Sequence, residues 1–309
     1  MNQSLSLPSF AKINWNLRIL GKRPDNLHEI QTTLQTISLH DRLNFELSDD
    51  QEIALICSEA EIPNDDRNLV VRAAQALRDR YSIRKGARVH LQKNIPAEAG
   101  LGGGSSNAAV ALLALVHLWQ IDAKANDLLT IAASIGADVP FFLFGGSMLG
   151  TGTGSTLSAT PDSDTHHLII IAPSASVSTR DAYASLQAAP LTSKTSEFIL
   201  SSSQNGAVPG GSPPWLRADF VNDFESVIFD IYPEIRRAKE LLLSAGARAA
   251  LMAGSGSSVF GVFAGKESQQ QALEKIEGEA GWRIFPCVTV SRNEYRRAIG
   301  DELFRSYAL

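Results

Sequence analysis

The chain has 309 residues, of which 44% are hydrophobic and 20% are charged, as in an ordinary globular protein long enough for two domains. Its formal net charge of -5 excludes the broad basic surface that nucleic acids or anionic membranes require, so a polyanionic ligand must be held in a local pocket. Cys57 and Cys287 lack metal-ligand spacing. Because no leader-like or membrane-spanning stretch is evident, we expect a cytoplasmic protein. No obligate protein partner is evident from the sequence.

The first predicted element is a strand. Apolar and polar residues alternate over 11–19, and Lys12, Asn14, Asn16 and Arg18 form the polar face. Most such faces are solvated, but asparagine is disfavoured inside strands, so this face is also a candidate functional surface. Further strands are expected through residue 39 and at 43–47, 53–55 and 89–91, with a helix over about 67–80 that residues 64–66 cap.

A glycine-rich loop follows the strand at 89–91. Residues 96–107 read PAEAGLGGGSSN, and the apolar run over 108–119 predicts a buried helix behind them. A helix beginning at Ser105 or Ser106 would direct its unpaired N–H groups and the positive end of its dipole into the loop. This arrangement predicts a phosphate-binding site.

Two common phosphate loops do not match this stretch. A Walker A loop requires Lys and then Ser or Thr after its last glycine, whereas Gly104 is followed by Ser105 and Ser106. A dinucleotide fingerprint would need its third glycine at Ser105 and a strand that runs directly into the loop, and Asn94-Ile95-Pro96 ends the strand first. A turn that only caps a core helix needs one glycine at the far end of a helix rather than four at its start. The missing lysine implies that another segment supplies the cation for the phosphates.

The remainder of the chain predicts a mixed second half. An amphipathic helix ends at Gly136 and is followed by Asp138 in a short loop. Residues 190–214 are rich in Ser, Gly and Pro and indicate a surface insertion without a part in the chemistry. The turn at 254–258 lies between two strand-like runs, and Ala253 before it argues against the Gly-x-Ser-x-Gly elbow of a serine hydrolase. The other predicted elements are strands at 168–172 and 287–290 and helices at 220–231, 234–245 and 269–276.

Six motifs in order resemble the GHMP kinases, the superfamily of galactokinase, homoserine kinase and mevalonate kinase. They are Phe10-Ala11-Lys12-Ile13-Asn14, Arg23-Pro24-Asp25, His28-Glu29-Ile30, the glycine-serine run at 100–107, Gly136-Ala137-Asp138-Val139-Pro140 and Asn222-Asp223-Phe224-Glu225. The resemblance covers nearly the whole chain apart from 190–214. It implies an α+β fold with an N-terminal ribosomal protein S5 domain 2-like domain over 1–158 and a C-terminal ferredoxin-like α/β sandwich over 159–309.

Within the superfamily, the chain resembles kinases of the non-mevalonate route to isoprenoid precursors. The resemblance implies ATP-dependent phosphorylation of the 2-hydroxyl of a cytidine-diphosphate-linked methylerythritol, with ATP as co-substrate and Mg2+ as cofactor. Phosphoryl transfer needs a cradle for the ATP phosphates, cations, and a group that orients the attacking hydroxyl. Two alternatives stay open, a GHMP kinase that acts on another small alcohol and a non-catalytic ligand-binding member of the fold.

The resemblance also assigns candidate site residues. Lys12 matches the family's lysine and Asp138 its base, and because a carboxylate beside an ammonium is a poor base, we weight orientation of the hydroxyl above proton abstraction. The substrate-binding candidates are Asn14, His28, Thr179 and Tyr183. The ATP-binding candidates are Pro96, Ala97, Glu98, Ala99, Gly100, Leu101, Gly102, Gly103, Gly104, Ser105 and Ser106. Ser106 is also the candidate hydroxyl ligand of Mg2+.

The expected pocket for the cytosine base departs from the family pattern. His28 matches the family's cytosine-contacting histidine, but Leu27 stands where an aromatic residue usually precedes it, and Asn26 where glycine is common. Tyr183, four residues after Thr179, is placed to form the opposite aromatic wall. The resemblance therefore implies a base pocket with one aromatic wall rather than two.

Overall fold

A computed structural model describes residues 4–48, 50–162, 164–186 and 220–305. The insertion predicted at 190–214 lies outside the described residues. None of the helices in these ranges combines the length and the hydrophobicity that crossing a bilayer requires.

The first half of the chain builds a six-stranded sheet around two long antiparallel strands, β1 (Ser4–Lys22) and β2 (His28–Ser48). The sheet order is β3-β4-β2-β5-β6, and β1 pairs with β2 off this path. The shorter strands are β3 (Ile53–Cys57), β4 (Gly86–Gln92), β5 (Ser147–Thr151) and β6 (Thr156–Ala159). The strands predicted through residue 39 and at 43–47 are one continuous β2, because a register shift opposite Phe10 and Ala11 lets the strand bend without ending.

Four helices share a hydrophobic core with this sheet. They are α1 (Leu69–Tyr81), α2 (Gly103–Trp119), α3 (Ala125–Ile135) and α4 (Val139–Phe142). Helix α2 is buried along most of its length, as its apolar sequence predicts. It packs against α1, α3, α4 and the sheet, and these contacts fix the position of the glycine loop that precedes it.

Two helices begin elsewhere than predicted. Helix α2 begins at Gly103, before Ser105, because Gly102 adopts a φ of 70° and serves as the N-cap, a conformation that other residues rarely adopt. Helix α1 begins at Leu69, and its N-cap is Asn68 rather than residues 64–66. The Asn68 side chain accepts a hydrogen bond from the Val70 N–H at 2.9 Å, which a capping asparagine supplies well.

The second half builds an antiparallel four-stranded sheet in the order β10-β7-β9-β8. Its strands are β7 (His167–Ala172), β8 (Ala249–Met252), β9 (Val259–Phe263) and β10 (Arg283–Val288). Its helices are α5 (Thr179–Ala184), α6 (Glu225–Ile231), α7 (Pro233–Ser244) and α8 (Lys266–Lys275). The domain boundary predicted between 158 and 159 falls between β6 and β7 and stays a prediction.

The last two described helices pack against the core that the first half of the chain builds. They are α9 (Arg292–Ile299), which a capping box of Ser291 and Glu294 starts, and α10 (Glu302–Arg305). No helix is predicted here from the sequence, because the segment is mostly polar and gives a weak apolar pattern. Its few apolar side chains, among them Tyr295 and Phe304, are nevertheless buried in the same core as α2 and β4.

Strand β1 also joins the two halves. The Leu17 carbonyl accepts a hydrogen bond from the Asp223 N–H at 2.9 Å. The neighbouring Asn222 donates through Nδ2 to the carbonyl oxygens of Met252 and Gly254 at 2.8 and 2.7 Å. These bonds hold the small-residue turn after β8 close to the polar face of β1.

Candidate active site

The glycine loop lies against both β1 and the Gly254 turn. The backbone N–H of Lys12 donates to the carbonyl oxygen of Leu101 at 2.9 Å. Gly100 has a φ of 74°, and a Cβ added there would lie 2.0 Å from the carbonyl oxygen of Ala253. The two backbones can approach this closely only because Gly100 has no side chain. The glycine loop, β1 and the Gly254 turn, which are far apart in sequence, therefore form one side of the site.

Lys12 is buried, with only 4% of the residue's surface exposed. Its Nζ donates to Asn14 Oδ1 at 2.8 Å, and Asn14 Nδ2 donates to Thr32 Oγ1 at 2.8 Å. The polar face of β1 is thus a buried hydrogen-bonded ladder, and the simpler expectation of a solvated face is wrong at these positions. Because Asn14 is itself held by Thr32, the direction of the Lys12 ammonium is fixed.

Asp138 faces Lys12. It is the N-cap of α4, and its Oδ2 lies 3.6 Å from Lys12 Nζ. The Asp138 side chain is 38% exposed, whereas that of Lys12 is 5% exposed. The pair is an ion pair that is longer than a normal hydrogen bond, and the open side of the carboxylate is accessible to a ligand.

A cavity of about 650 Å³ opens in front of this pair. Of the candidate site residues, it is bordered by Lys12, Asn14, Asp138, Thr179, Tyr183 and residues 96–105. Ser255, which has no assigned role in the sequence, borders it as well, and its hydroxyl lies 3.2 Å from that of Thr179. His28 and Ser106 are the two candidates that do not border this cavity.

A second cavity of about 600 Å³ adjoins the first, and Ala137, Thr153 and Tyr183 border both. His28 borders the second cavity, and its ring stacks on Tyr183 with a centroid distance of 4.8 Å and an interplanar angle of 23°. Because the two rings are in contact, they leave no space for a base between them. Tyr183 therefore supports the His28 ring in this structure instead of forming a separate wall.

Burial controls the titration of both rings. It raises the pKa of Tyr183 to about 12, with a smaller contribution from the negative charge of Asp138. Burial also lowers the pKa of His28, and the ammonium of Lys22 lowers it further. Both rings are consequently neutral near pH 7, which suits contact with an uncharged base.

Comparisons with known proteins agree with this geometry. Residues 68–146 match the family model for the GHMP kinases N-terminal domain, and residues 211–281 match that for the GHMP kinases C-terminal domain. A 4-diphosphocytidyl-2-C-methyl-D-erythritol kinase of Syntrophus aciditrophicus (strain SB) is 40% identical over 286 residues, which cover 92% of this chain and 98% of that relative. The chain belongs to the GHMP kinase family.

Other GHMP kinases are similar over the same length. A kinase of the same name from Prosthecochloris aestuarii (strain DSM 271 / SK 413) is 38% identical over 290 residues, with 92% of this chain and 98% of the relative covered. A crystal structure of 4-(cytidine 5'-diphospho)-2C-methyl-D-erythritol kinase matches with a TM-score of 0.72 and 31% identity, over 92% of this chain and 99% of that chain. The predicted family and the α+β fold are confirmed.

A buried cluster beneath the glycine loop of this GHMP kinase is not predicted from the sequence. The Asp41 carboxylate is fully buried and accepts hydrogen bonds from Lys93 Nζ at 2.5 Å, the Asn94 and Ile95 N–H groups at 2.7 and 2.8 Å, and Asn107 Nδ2 at 2.9 Å. These donors lie just before and just after the loop, so Asp41 joins its two ends. The sequence gives no strong signal for it, because Asp41 falls between the strands predicted through residue 39 and at 43–47.

The Ser106 hydroxyl is turned toward β1. Ser106 is fully buried, and its Oγ accepts a hydrogen bond from Ser9 Oγ at 2.7 Å, whereas Ser105 borders the cavity. Its role as a Mg2+ ligand stays a prediction. Within the described ranges, no three His, Cys, Asp or Glu side chains cluster in a way that could hold a metal ion.

Proposed function

We infer that this GHMP kinase transfers the γ-phosphoryl group of ATP to the 2-hydroxyl of 4-diphosphocytidyl-2-C-methyl-D-erythritol, in the non-mevalonate route to isoprenoid precursors. Relatives that cover most of the chain carry that name. One observation carries the site assignment: the Lys12–Asp138 pair lies beside Ala137, which borders both cavities. A phosphoryl donor in the first cavity and an alcohol in the second would meet at this pair.

In this proposal ATP occupies the first cavity. The glycine loop and the N-terminal turn of α2 offer backbone N–H groups to its phosphates, and the helix dipole favours their negative charge. The cavity is also bordered by apolar side chains that suit the adenine ring, among them Ile62, Leu69 and Leu91.

The cytidine-diphosphate end of the acceptor occupies the second cavity. His28 is neutral and can both donate and accept a hydrogen bond, as recognition of a base edge requires. Lys22 and Arg180 border the same cavity, so two cations are available to the acceptor's diphosphate. Tyr183 lies where the two cavities join and separates the base from the reacting hydroxyl.

The transfer forms a bond from the acceptor oxygen to the γ-phosphorus and breaks the bond from that phosphorus to the oxygen that leaves with ADP. Asp138 accepts a hydrogen bond from the acceptor hydroxyl, holds its oxygen in line and receives its proton or passes it to water. Lys12, held by Asn14, stabilises the charge on the transferred group. A bound Mg2+ would neutralise phosphate charge, and the oxygen donors that could hold it are Glu98 and Ser105, which border the cavity beside the loop. The hydroxyl of the third candidate, Ser106, is turned toward Ser9.

The test is ADP release that depends on the acceptor. We expect turnover with ATP and 4-diphosphocytidyl-2-C-methyl-D-erythritol, and only background ADP release with ATP alone. Homoserine, mevalonate and galactose serve as comparison alcohols. Faster turnover with one of these alcohols would favour a GHMP kinase of different specificity, and ATP binding without turnover on any of them would favour a non-catalytic member of the fold.

A further inference from the structure

Tyr295 is a fully buried residue of α9, near the C-terminal end of the chain, but it lies in the core that the first half of the chain builds. Its ring packs among residues of the first half, and its nearest aromatic neighbours are Phe10 and Phe304, with centroid distances of 5.6 and 6.4 Å. The helix that carries it follows the second sheet in sequence. A tyrosine hydroxyl in such a place needs a hydrogen-bond partner, and it has one.

That partner belongs to the segment of Asp138. Tyr295 Oη donates to the carbonyl oxygen of Phe142, the last residue of α4. The Tyr295 ring also covers the turn that follows, since a Cβ added at Gly145 would lie 2.2 Å from Tyr295 Cδ1. Helix α4 has four residues with Asp138 as its N-cap, so a contact that fixes its last carbonyl also restricts its first residue.

The other side of Tyr295 faces the segment of Lys12. Phe10, which contacts the Tyr295 ring, lies two residues before Lys12 on β1. The two segments also meet at the glycine loop. The position that a Cβ of Gly102 would occupy lies 3.0 Å from Phe142 Cζ and 3.1 Å from Lys12 Cγ. Tyr295 therefore touches both segments whose ends form the Lys12–Asp138 pair.

We propose that Tyr295 is a positioning residue that sets the separation of Lys12 and Asp138 through its contacts with Phe142 and Phe10. The proposal rests on the roles given to Lys12 and Asp138 in the proposed function. Tyr295 itself touches no substrate, because it is buried behind α4.

The hydroxyl group is the part of Tyr295 that can be removed without changing the packing. Burial raises the pKa of Tyr295, so its Oη stays protonated and donates at any pH at which the protein works. Without it, the Phe142 carbonyl would lack this donor in an apolar core, and α4 would shift toward another partner or toward water. A shift of about 1 Å at a reacting group can lower a rate by up to about a hundredfold.

The test compares Tyr295→Phe with Tyr81→Phe. Tyr81 also donates its hydroxyl to one acceptor, Asp127 Oδ2 at 3.3 Å, but it lies on α1 away from Asp138 and Lys12. We expect Tyr295→Phe to lower kcat about tenfold while the KM values for ATP and for the cytidine substrate stay within about twofold. Tyr81→Phe should leave kcat at the wild-type value. A Tyr295→Phe enzyme with wild-type kcat would overturn the proposal, and so would a rise in both KM values with kcat unchanged.

Combination with Asp138→Asn separates this inference from the proposed function. If Tyr295 acts through Asp138, Tyr295→Phe should lower the residual kcat of Asp138→Asn by much less than tenfold. An equal tenfold loss in both backgrounds would overturn the positioning role. If Asp138→Asn alone kept wild-type turnover, the role of Asp138 in the proposed function would be wrong, and the Tyr295 proposal would be overturned together with the role on which it rests. A wild-type rate in Tyr295→Phe beside an inactive Asp138→Asn would overturn the Tyr295 proposal alone.

Discussion

Lys12 Nζ lies 3.6 Å from Asp138 Oδ2, and of the two side chains only the carboxylate is open to solvent. The ammonium is buried and held by Asn14, whereas the carboxylate is partly exposed at the start of a four-residue helix. At this distance the pair is attracted but does not form a short hydrogen bond. A phosphate oxygen and an acceptor hydroxyl can therefore each take one partner, which is the arrangement that in-line transfer requires.

Asp138→Asn should lower kcat by about two to four orders of magnitude, because the amide can neither take up the hydroxyl proton nor carry the negative charge. ATP affinity should stay within about twofold of wild type, since the phosphates bind to the glycine loop. Steady-state kinetics and calorimetric ATP titration measure the two quantities. Asp122→Asn, at an exposed position after α2, is the matched control and should behave as wild type. Near-normal turnover in Asp138→Asn would contradict the assigned role.

Tyr183→Ala should raise the KM for the cytidine substrate by about tenfold and leave the KM for ATP nearly unchanged. The substitution removes the ring on which His28 stacks, and an aromatic pair of this kind contributes about 0.5–1.5 kcal/mol beyond its buried area. Leu27→Phe offers the opposite change. Leu27 borders the second cavity and is 53% exposed, so an aromatic ring there should lower the same KM. An unaltered KM in Tyr183→Ala would remove Tyr183 from the acceptor site.

The KM for the cytidine substrate should be constant at neutral pH and should rise in acid as the His28 ring takes up a proton; an unperturbed histidine is half protonated at about pH 6.5. Burial and Lys22 both lower the pKa of His28, so the midpoint of this rise lies at a lower pH than the midpoint for free histidine. The unfolded chain takes up this proton at a higher pH than the folded one, so the stability that the neutral ring contributes is also lost as the pH falls through this range.

Two variants test whether His28 causes this acid limb, the loss of kcat/KM for the cytidine substrate at low pH. Lys22→Gln removes a positive charge and should move the inflection to higher pH, and His28→Asn should abolish it. The measurement is kcat/KM at limiting cytidine substrate as a function of pH. An acid limb that persists unchanged in His28→Asn would assign the titration to another group.

The elements of the site differ in how far the sequence predicts them. The glycine loop and Asp138 are local patterns, and the structure brings them together with Lys12 and Tyr183 around one cavity. Local patterns do not predict the role of Asp41, because its hydrogen-bond donors, Lys93 just after β4 and Asn107 in α2, reach it only in the folded chain. Tyr295 is hidden for a similar reason, since its short polar helix packs on a core that begins far earlier in the chain.

Lys22 and Arg180 should give the second cavity its affinity for a diphosphate. Both are exposed residues on its border, and in the described part of the chain neither forms an ion pair. Wild-type protein should bind CDP at least about tenfold more tightly than cytidine, because each close cation adds a charge-assisted contact. In Lys22→Gln/Arg180→Gln this ratio should approach one, while Arg84→Gln, an exposed position away from both cavities, should keep it. An unchanged ratio in the double variant would place the diphosphate elsewhere.

Asp41→Asn should destabilise the fold by about 3–5 kcal/mol, because it leaves Lys93 as a buried ammonium without a counter-charge and turns an amide NH2 toward donors. Adding Lys93→Met should recover part of this loss, since the unpaired charge is then removed. Asp65→Asn is the matched control at an exposed ion pair with Arg67, and it should not change the denaturant midpoint measurably. Equilibrium denaturant unfolding measures all three. Because Asp41 joins both ends of the glycine loop, the double variant should also raise the KM for ATP while leaving that for the cytidine substrate unchanged. Stability and ATP affinity that both match the Asp65→Asn control would show that the Asp41 cluster does not hold the loop.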